Sequence, residues 1–272
     1  MYQNTDQILN EELDNVYSQN DKIQTILIDA GEAILSFYKK KEGVQIQYKK
    51  DHSPVTEADI ASNKIITKGL KAVFPNIEML SEESVTIPYA SRKNLDYIWL
   101  LDPLDGTKEF LNQTDEFSIN LALIHRKKAV AGFIYLPVQK KLYYAFINRG
   151  SYEISGSKTT QMQCSSFSLE QEGLKVVVSR SHMDVLTRQE IDRLRKPQKI
   201  VLGSALKFLS IAKGEADYYP RMIHIMEWDT AAGQIIIEES GGSLEDALTG
   251  KPLEYNKATL TNPFFIASGK IV

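Results

Sequence analysis

Carboxylates recur at four separated places in this chain, each at the end of an apolar run or the start of a helical one. They are Asp59 in SPVTEAD, Glu82 and Glu83 in LSEE, Asp102 and Asp105 in WLLDPLDGTKEF, and Asp229 in EWDTAAGQ. A fold that converges them must also neutralise them. Two like charges ~4 Å apart cost roughly 4 kcal/mol at an effective dielectric of about 20. A hard divalent cation removes that cost, and an all-oxygen donor set selects Mg²⁺ or Mn²⁺ over zinc.

The DPLDGT segment is the densest of the four. Pro103 fixes its own φ and removes a backbone donor, which holds Asp102 extended at the end of a strand expected over residues 97–101. Asp102 and Asp105 then flank a turn in which the Leu104 carbonyl can also face a cation. Gly106 permits a tight path, and the N–H groups of Gly106 and Thr107 open a short helix, whose start suits a phosphate. Each piece also has a plainer explanation. An Asp-Gly turn after a strand is common. Asp229 would serve as an N-cap, and Glu57 and Asp59 would sit well in a first helical turn begun by Thr56. Glu82 and Glu83 could be a solvated strand end. The plain explanations leave the joint occurrence, in this order and with these neighbours, unaccounted for.

At 272 residues the chain has room for one large α/β domain or two smaller ones, and a hydrophobic fraction of 43% is that of an ordinary globular protein. A net charge of -3 argues against a nucleic-acid partner. Cys164 is the single cysteine, so no intrachain disulfide forms, which fits a reducing, cytoplasmic setting. The acidic opening MYQNTDQILNEELDN has no apolar core, so a secretory signal is not expected. No apolar run reaches the ~18 residues of a membrane helix. Nothing in the composition excludes an oligomer.

Residues 1–20 are polar and acidic and are expected to be an extension or a short helix. An apolar helical face starts at Ile23, a strand is expected around Ile46, and a helix over residues 57–73 stops before Pro75. FSINLALIH, AVAGFIYLP and KLYYAFIN, separated by HRKK and PVQKK, predict an antiparallel meander. Residues 21–157 are therefore expected to form an α+β domain with most of the carboxylates. The polar SKTTQMQCSS stretch marks the expected boundary. Residues 158–272 alternate strand and helix, predicting an α/β domain with a mixed sheet. Helices are expected over 187–194, 204–213 and 230–239.

Taken together, Asp59, Glu82-Glu83, Asp102-Pro103-Leu104-Asp105-Gly106-Thr107 and Trp228-Asp229-Thr230-Ala231-Ala232 resemble the signature of a phosphomonoesterase superfamily. This is the lithium-sensitive, magnesium-dependent group of inositol monophosphatase and fructose bisphosphatase. The resemblance runs from about Lys22 to Phe265. KDHSPVTEAD, SRSH, GSALKF, YYPRM and MEWDTAAGQ are most similar to its 3'(2'),5'-bisphosphate nucleotidases of the CysQ type.

The resemblance implies a layered α-β-α-β-α sandwich with the metals at the junction of the two halves. It implies that Glu82, Asp102 and the Leu104 carbonyl hold one Mg²⁺, and that Asp102, Asp105 and Asp229 hold a second. A weaker third ion near Glu82, and Mn²⁺ as a substitute, belong to the same pattern. Asp59 and Thr107 would orient the attacking water. Gly106, Thr107, His182, Ser204, Lys207 and Arg221 match positions that contact substrate. The implied reaction is removal of the 3'-phosphate of adenosine 3',5'-bisphosphate to give AMP, with 3'-phosphoadenylyl sulfate as a related substrate. The alternatives are an inositol- or sugar-phosphate phosphatase and a catalytically silent nucleotide-binding protein. No P-loop, HExxH, GxSxG or dinucleotide fingerprint competes.

Overall fold

The computed structural model describes residues 3–39, 46–48, 54–84, 87–180 and 183–272. Helices α1 (Gln3–Ser18) and α2 (Asn20–Tyr38) lead to a ribbon of β1 (Ile46–Tyr48) and β2 (Pro54–Thr56), and α3 (Glu57–Val73) follows directly. The expected N-terminal extension is thus a helix. Its Leu13 and Val16, three residues apart on one face, are buried in the same core as α2, so the segment is part of the packed body.

A seven-stranded sheet follows, with its strands in chain order. It comprises β3 (Glu78–Ser81), β4 (Tyr97–Asp105), β5 (Ser118–His125), β6 (Lys128–Leu136), β7 (Lys141–Phe146), β8 (Ser151–Ser155) and β9 (Lys158–Gln161). Short helices α4 (Tyr89–Arg92) and α5 (Thr107–Leu111) flank β4. Strand β3 runs parallel to β4, and every later pairing is antiparallel, as the expected meander requires. Strand β9 lies beyond residue 157 yet pairs with β8, so the first sheet continues into the stretch expected to divide the chain.

The remainder contributes β10 (Ser166–Phe167), β11 (Lys175–Ser179), α6 (Val185–Asp192), β12 (Gln198–Leu202), α7 (Leu206–Ala212) and β13 (Tyr218–Arg221). It ends with α8 (Glu227–Glu238), β14 (Ser243–Asp246), β15 (Phe265–Ser268) and β16 (Lys270–Ile271). A mixed sheet has the order β12-β11-β13-β15-β14, parallel at β11 and antiparallel around β15.

The layering follows from side-chain alternation. On β4, Trp99 and Leu101 join the core under α2 and α3, while Ile98 and Leu100 join the core under α7 and α8. Strand β5 splits the same way, with Leu121 and Leu123 to one side and Ala122 and Ile124 to the other. A sheet covered on both faces reads as near-continuous apolar runs, which is why IWLL and NLALI show little polar alternation. Helix α8 presses on β6 at Gly132, where a Cβ would come within 2.4 Å of Ile235 Cγ2 and 2.8 Å of the Ala232 carbonyl. Beyond α7 and α8 lies the mixed sheet, and Ile191 of α6 packs on its far side with Val176, Val178 and Tyr218. The result is the α-β-α-β-α sandwich. Among the described residues no helix is long and apolar enough to cross a membrane.

Candidate active site

Strand β4 carries the two central carboxylates across an irregularity. Asp102 faces Asn120 and Asp105 faces Ser118, so three steps on β4 match two on β5. Residues three apart on a regular strand point to opposite faces, and the extra residue of a β-bulge cancels that flip. The expected turn at DPLD is therefore a bulge within the strand, and it lets Asp102 and Asp105 line one cavity. The Leu104 N–H donates to Asp102 Oδ1 at 3.0 Å, and Ser62 of α3 donates to the Pro103 carbonyl at 2.7 Å, pinning the bulge from below. Gly106 then takes φ 90°, where a Cβ would lie 3.0 Å from the Glu116 carbonyl.

Glu82 extends the β3–β4 pairing by one residue, its N–H donating to the Leu101 carbonyl at 3.0 Å. Helix α8 begins at Glu227, ahead of the expected start, so Asp229 is not the N-cap residue but caps the helix from its third position. Its Oδ2 accepts from the Met226 N–H at 3.0 Å. One oxygen each of Glu82, Asp102 and Asp229 falls within 4.8 Å of the others. Burial, followed by the charges of Glu82, Asp105 and Asp229, pushes Asp102 well above the usual carboxylate range. Asp229 is raised as well, first by burial and then by Asp105 and Glu82, with Lys207 opposing. Such a group must take up protons or cations. Three convergent carboxylates and a nearby carbonyl, without nitrogen or sulfur donors, fit a hard divalent cation.

Asp59 is the third helical residue of α3 and completes a capping box. Its Oδ2 accepts from Thr56 N at 2.8 Å and Thr56 Oγ1 at 2.5 Å. The Thr107 hydroxyl stands 3.5 Å from Asp59 Oδ1 and 3.4 Å from the Leu104 carbonyl. Burial raises the Asp59 pKa to about 6, with Glu83 and Glu82 adding to the rise and the Thr56 hydrogen bonds opposing it.

A cavity of about 310 Å³ opens over this cluster. Glu82, Asp102, Leu104, Asp105, Gly106, Thr107 and Asp229 line it, together with Ser204, Lys207 and Arg221. Arg221 ends β13 in the mixed sheet and is buried. Lys207 Nζ donates to the Ser204 carbonyl at 2.5 Å; burial lowers its pKa, with Asp105 opposing. His182 lies outside the described residues.

Several contributors were not legible as site residues. Ser118 and Asn120, two apart on β5, reach Asp105 Oδ2 at 3.5 and 3.3 Å. Glu116 grips Arg180 through both oxygens, at 2.9 and 2.7 Å, and also accepts the Gly203 N–H at 2.9 Å. It thereby ties two loops of the second half to the first. Only the β4–β5 register would have pointed to Ser118 and Asn120, and a single sequence does not supply register. Glu227 is fully buried and accepts from Asn256 N and Lys257 N, so it anchors the loop after β14 rather than binding a metal.

The model of the inositol monophosphatase family matches residues 13–271. The 3'(2'),5'-bisphosphate nucleotidase CysQ of Salmonella typhimurium is 39% identical over 239 residues, spanning 87% of this chain and 94% of that protein. Its namesake from Haemophilus influenzae is 33% identical over 263 residues, spanning 96% and 94%. The crystal structure of CysQ from Bacteroides thetaiotaomicron, a bacterial member of the inositol monophosphatase family, superposes with TM-score 0.79 at 34% identity, covering 94% of this chain and 99% of that one.

Proposed function

The chain belongs to the inositol monophosphatase family, and from that premise we propose that it is a 3'(2'),5'-bisphosphate nucleotidase. It removes the 3'-phosphate of adenosine 3',5'-bisphosphate to leave AMP, and accepts 3'-phosphoadenylyl sulfate through the same phosphate. The observation that carries the reading is the convergence of Glu82, Asp102 and Asp229 within 4.8 Å in a cavity that Lys207 and Arg221 also line. The carboxylates suit cations and the scissile phosphate; the two basic side chains suit a second anionic group. The sequence relatives named CysQ over most of their length support the same substrate class.

Glu82, Asp102 and the Leu104 carbonyl would hold one Mg²⁺, and Asp102, Asp105 and Asp229 a second, with Mn²⁺ as a substitute and Glu82 near a weaker third. Bound there, the cations supply Lewis acidity that activates a water and steadies the departing oxygen. The Thr107 hydroxyl orients that water and passes its proton toward Asp59 Oδ1. Attack on phosphorus breaks its bond to the 3'-oxygen, which leaves with a proton from solvent. Lys207 and Arg221 hold the remaining phosphate and polar groups of the nucleoside, the planar guanidinium making paired hydrogen bonds. Gly106 keeps the wall thin beside the scissile group, and His182 completes the expected recognition set. We further propose two units, the expected 21–157 unit extended by α1 and β9, which pack on it, and the rest of 158–272, together with a cytoplasmic location.

The test is a kcat/KM panel of adenosine 3',5'-bisphosphate, inositol 1-phosphate and fructose 1,6-bisphosphate. The nucleotide should lead by at least about 10-fold, the value of one charge-assisted contact. A lead for inositol 1-phosphate would return the protein to the inositol phosphatases.

A further inference from the structure

We propose that Ser204 is a positioning residue that sets the Asp105 carboxylate for cation binding, instead of meeting the substrate with its hydroxyl. The inference rests on the reading of Asp105 as a cation ligand and deepens it. Ser204 Oγ lies 2.6 Å from Asp105 Oδ2, 3.2 Å from the Asp105 carbonyl and 2.7 Å from Ser118 Oγ. The one proton of the hydroxyl is best spent on the charged oxygen at the shortest distance. The Asn120 amide N–H donates to the same oxygen at 3.3 Å, and the Ser118 hydroxyl, 3.5 Å from it, donates to Asn120 Oδ1 at 2.8 Å. Among the described residues, every side-chain hydrogen bond to the Asp105 carboxylate ends on Oδ2. Oδ1 is thereby left for a cation.

The backbone around Ser204 is shaped for this contact. Ser204 has φ 47°, a left-handed conformation that a non-glycine residue adopts at a cost. Such strain persists where the surroundings over-determine it. Here the Asp105 contacts hold the side chain, and Lys207 Nζ holds the carbonyl. Ser204 follows β12 of the mixed sheet, and Asp105 ends β4 of the other. The bond therefore makes the geometry of a ligand in one half depend on the docking of the other.

The test is calorimetric titration of Mg²⁺ or Mn²⁺ into the full chain without substrate, for wild type, Ser204→Ala and Ser204→Gly. Alanine removes only the hydroxyl, and glycine removes the side chain but adopts the left-handed backbone without strain, so it guards against a folding defect in the alanine variant. Both variants should bind the cation about 10- to 100-fold more weakly, the usual consequence of losing a group that orients a metal ligand. Nucleotide KM at saturating cation should stay near wild type, and in an Asp105→Asn background Ser204→Ala should cost less than about 2-fold further. Wild-type cation affinity in both variants, with a raised nucleotide KM, would overturn the proposal and make Ser204 a substrate contact. A wild-type protein that takes up no divalent cation would overturn both this proposal and the reading beneath it.

Discussion

Thr107 Oγ1 stands 3.5 Å from Asp59 Oδ1, which links the start of α5 to the first turn of α3 beside the carboxylate cluster. Neither residue needs to hold a cation for this pair to act on a water. Thr107→Val, which keeps the shape and removes the hydroxyl, should lower kcat by about 10²-fold or more. Cation affinity measured by calorimetry should change little, and Thr107→Ser should recover most of the rate. Equal losses in Thr107→Ser and Thr107→Val would make the residue a packing element.

Asp102 concentrates the electrostatic cost of the site, since it is 2% exposed and faces Glu82, Asp105 and Asp229. Asp102→Asn should reduce turnover at least ~10²-fold. The same substitution should raise the Tm of the chelator-treated protein, because a buried like charge is gone and the amide oxygen can still accept the Leu104 N–H. A fall in Tm without metal would show that the Asp102 charge is not under repulsion.

The raised pKa of Asp59 gives the metal-free protein a pH dependence of definite sign. Folded Asp59 keeps its proton up to pH about 6, while the unfolded chain loses it near the ordinary value of 3.8. The folded state binds more protons in that window, so stability falls as pH rises from about 4 to about 6. A shift of about two units corresponds to roughly 3 kcal/mol at most. The raised Asp102 and Asp229 extend the loss to higher pH. The difference in Tm between Mg²⁺-loaded and chelated protein should therefore widen from pH 4.5 to 7.5. Parallel melting curves would speak against a cation at the cluster.

The carboxylates at the cavity carried unequal local signals: Pro103 follows Asp102, Gly106 follows Asp105, and helices start near Asp59 and Asp229, while Glu82 had only its place at a strand end. The meander and the mixed sheet were legible through the apolar runs of the strands and the strand-helix alternation of the second half, and their layering only through the family resemblance. Long-range geometry was not. The bulge that aligns Asp102 with Asp105 depends on the pairing of β4 with β5, and the contact of Ser204 with Asp105 spans two sheets. The buried stripe of Leu13 and Val16 is too short to stand out among the polar residues of α1. Helix α8 also starts early, because its first turn is held by Asp229 reaching back to Met226.

Substrate choice should be separable from the chemistry. Lys207→Ala and Arg221→Ala should each lower kcat/KM for adenosine 3',5'-bisphosphate by roughly 10- to 150-fold, the range of a lost charge-assisted phosphate contact. Hydrolysis of a small substrate with one phosphate should fall far less. Asp229→Asn should depress both alike. Equal loss of both substrates in the Lys207 and Arg221 variants would make those residues structural.

Chromatographic identification of the products from adenosine 3',5'-bisphosphate, with Mg²⁺ and with excess chelator, tests metal-dependent removal of the 3'-phosphate most directly. The expected result is AMP and one equivalent of phosphate with Mg²⁺, and unchanged substrate with chelator. Adenosine 3'-phosphate as the main product, or turnover that survives exhaustive chelation, would contradict it.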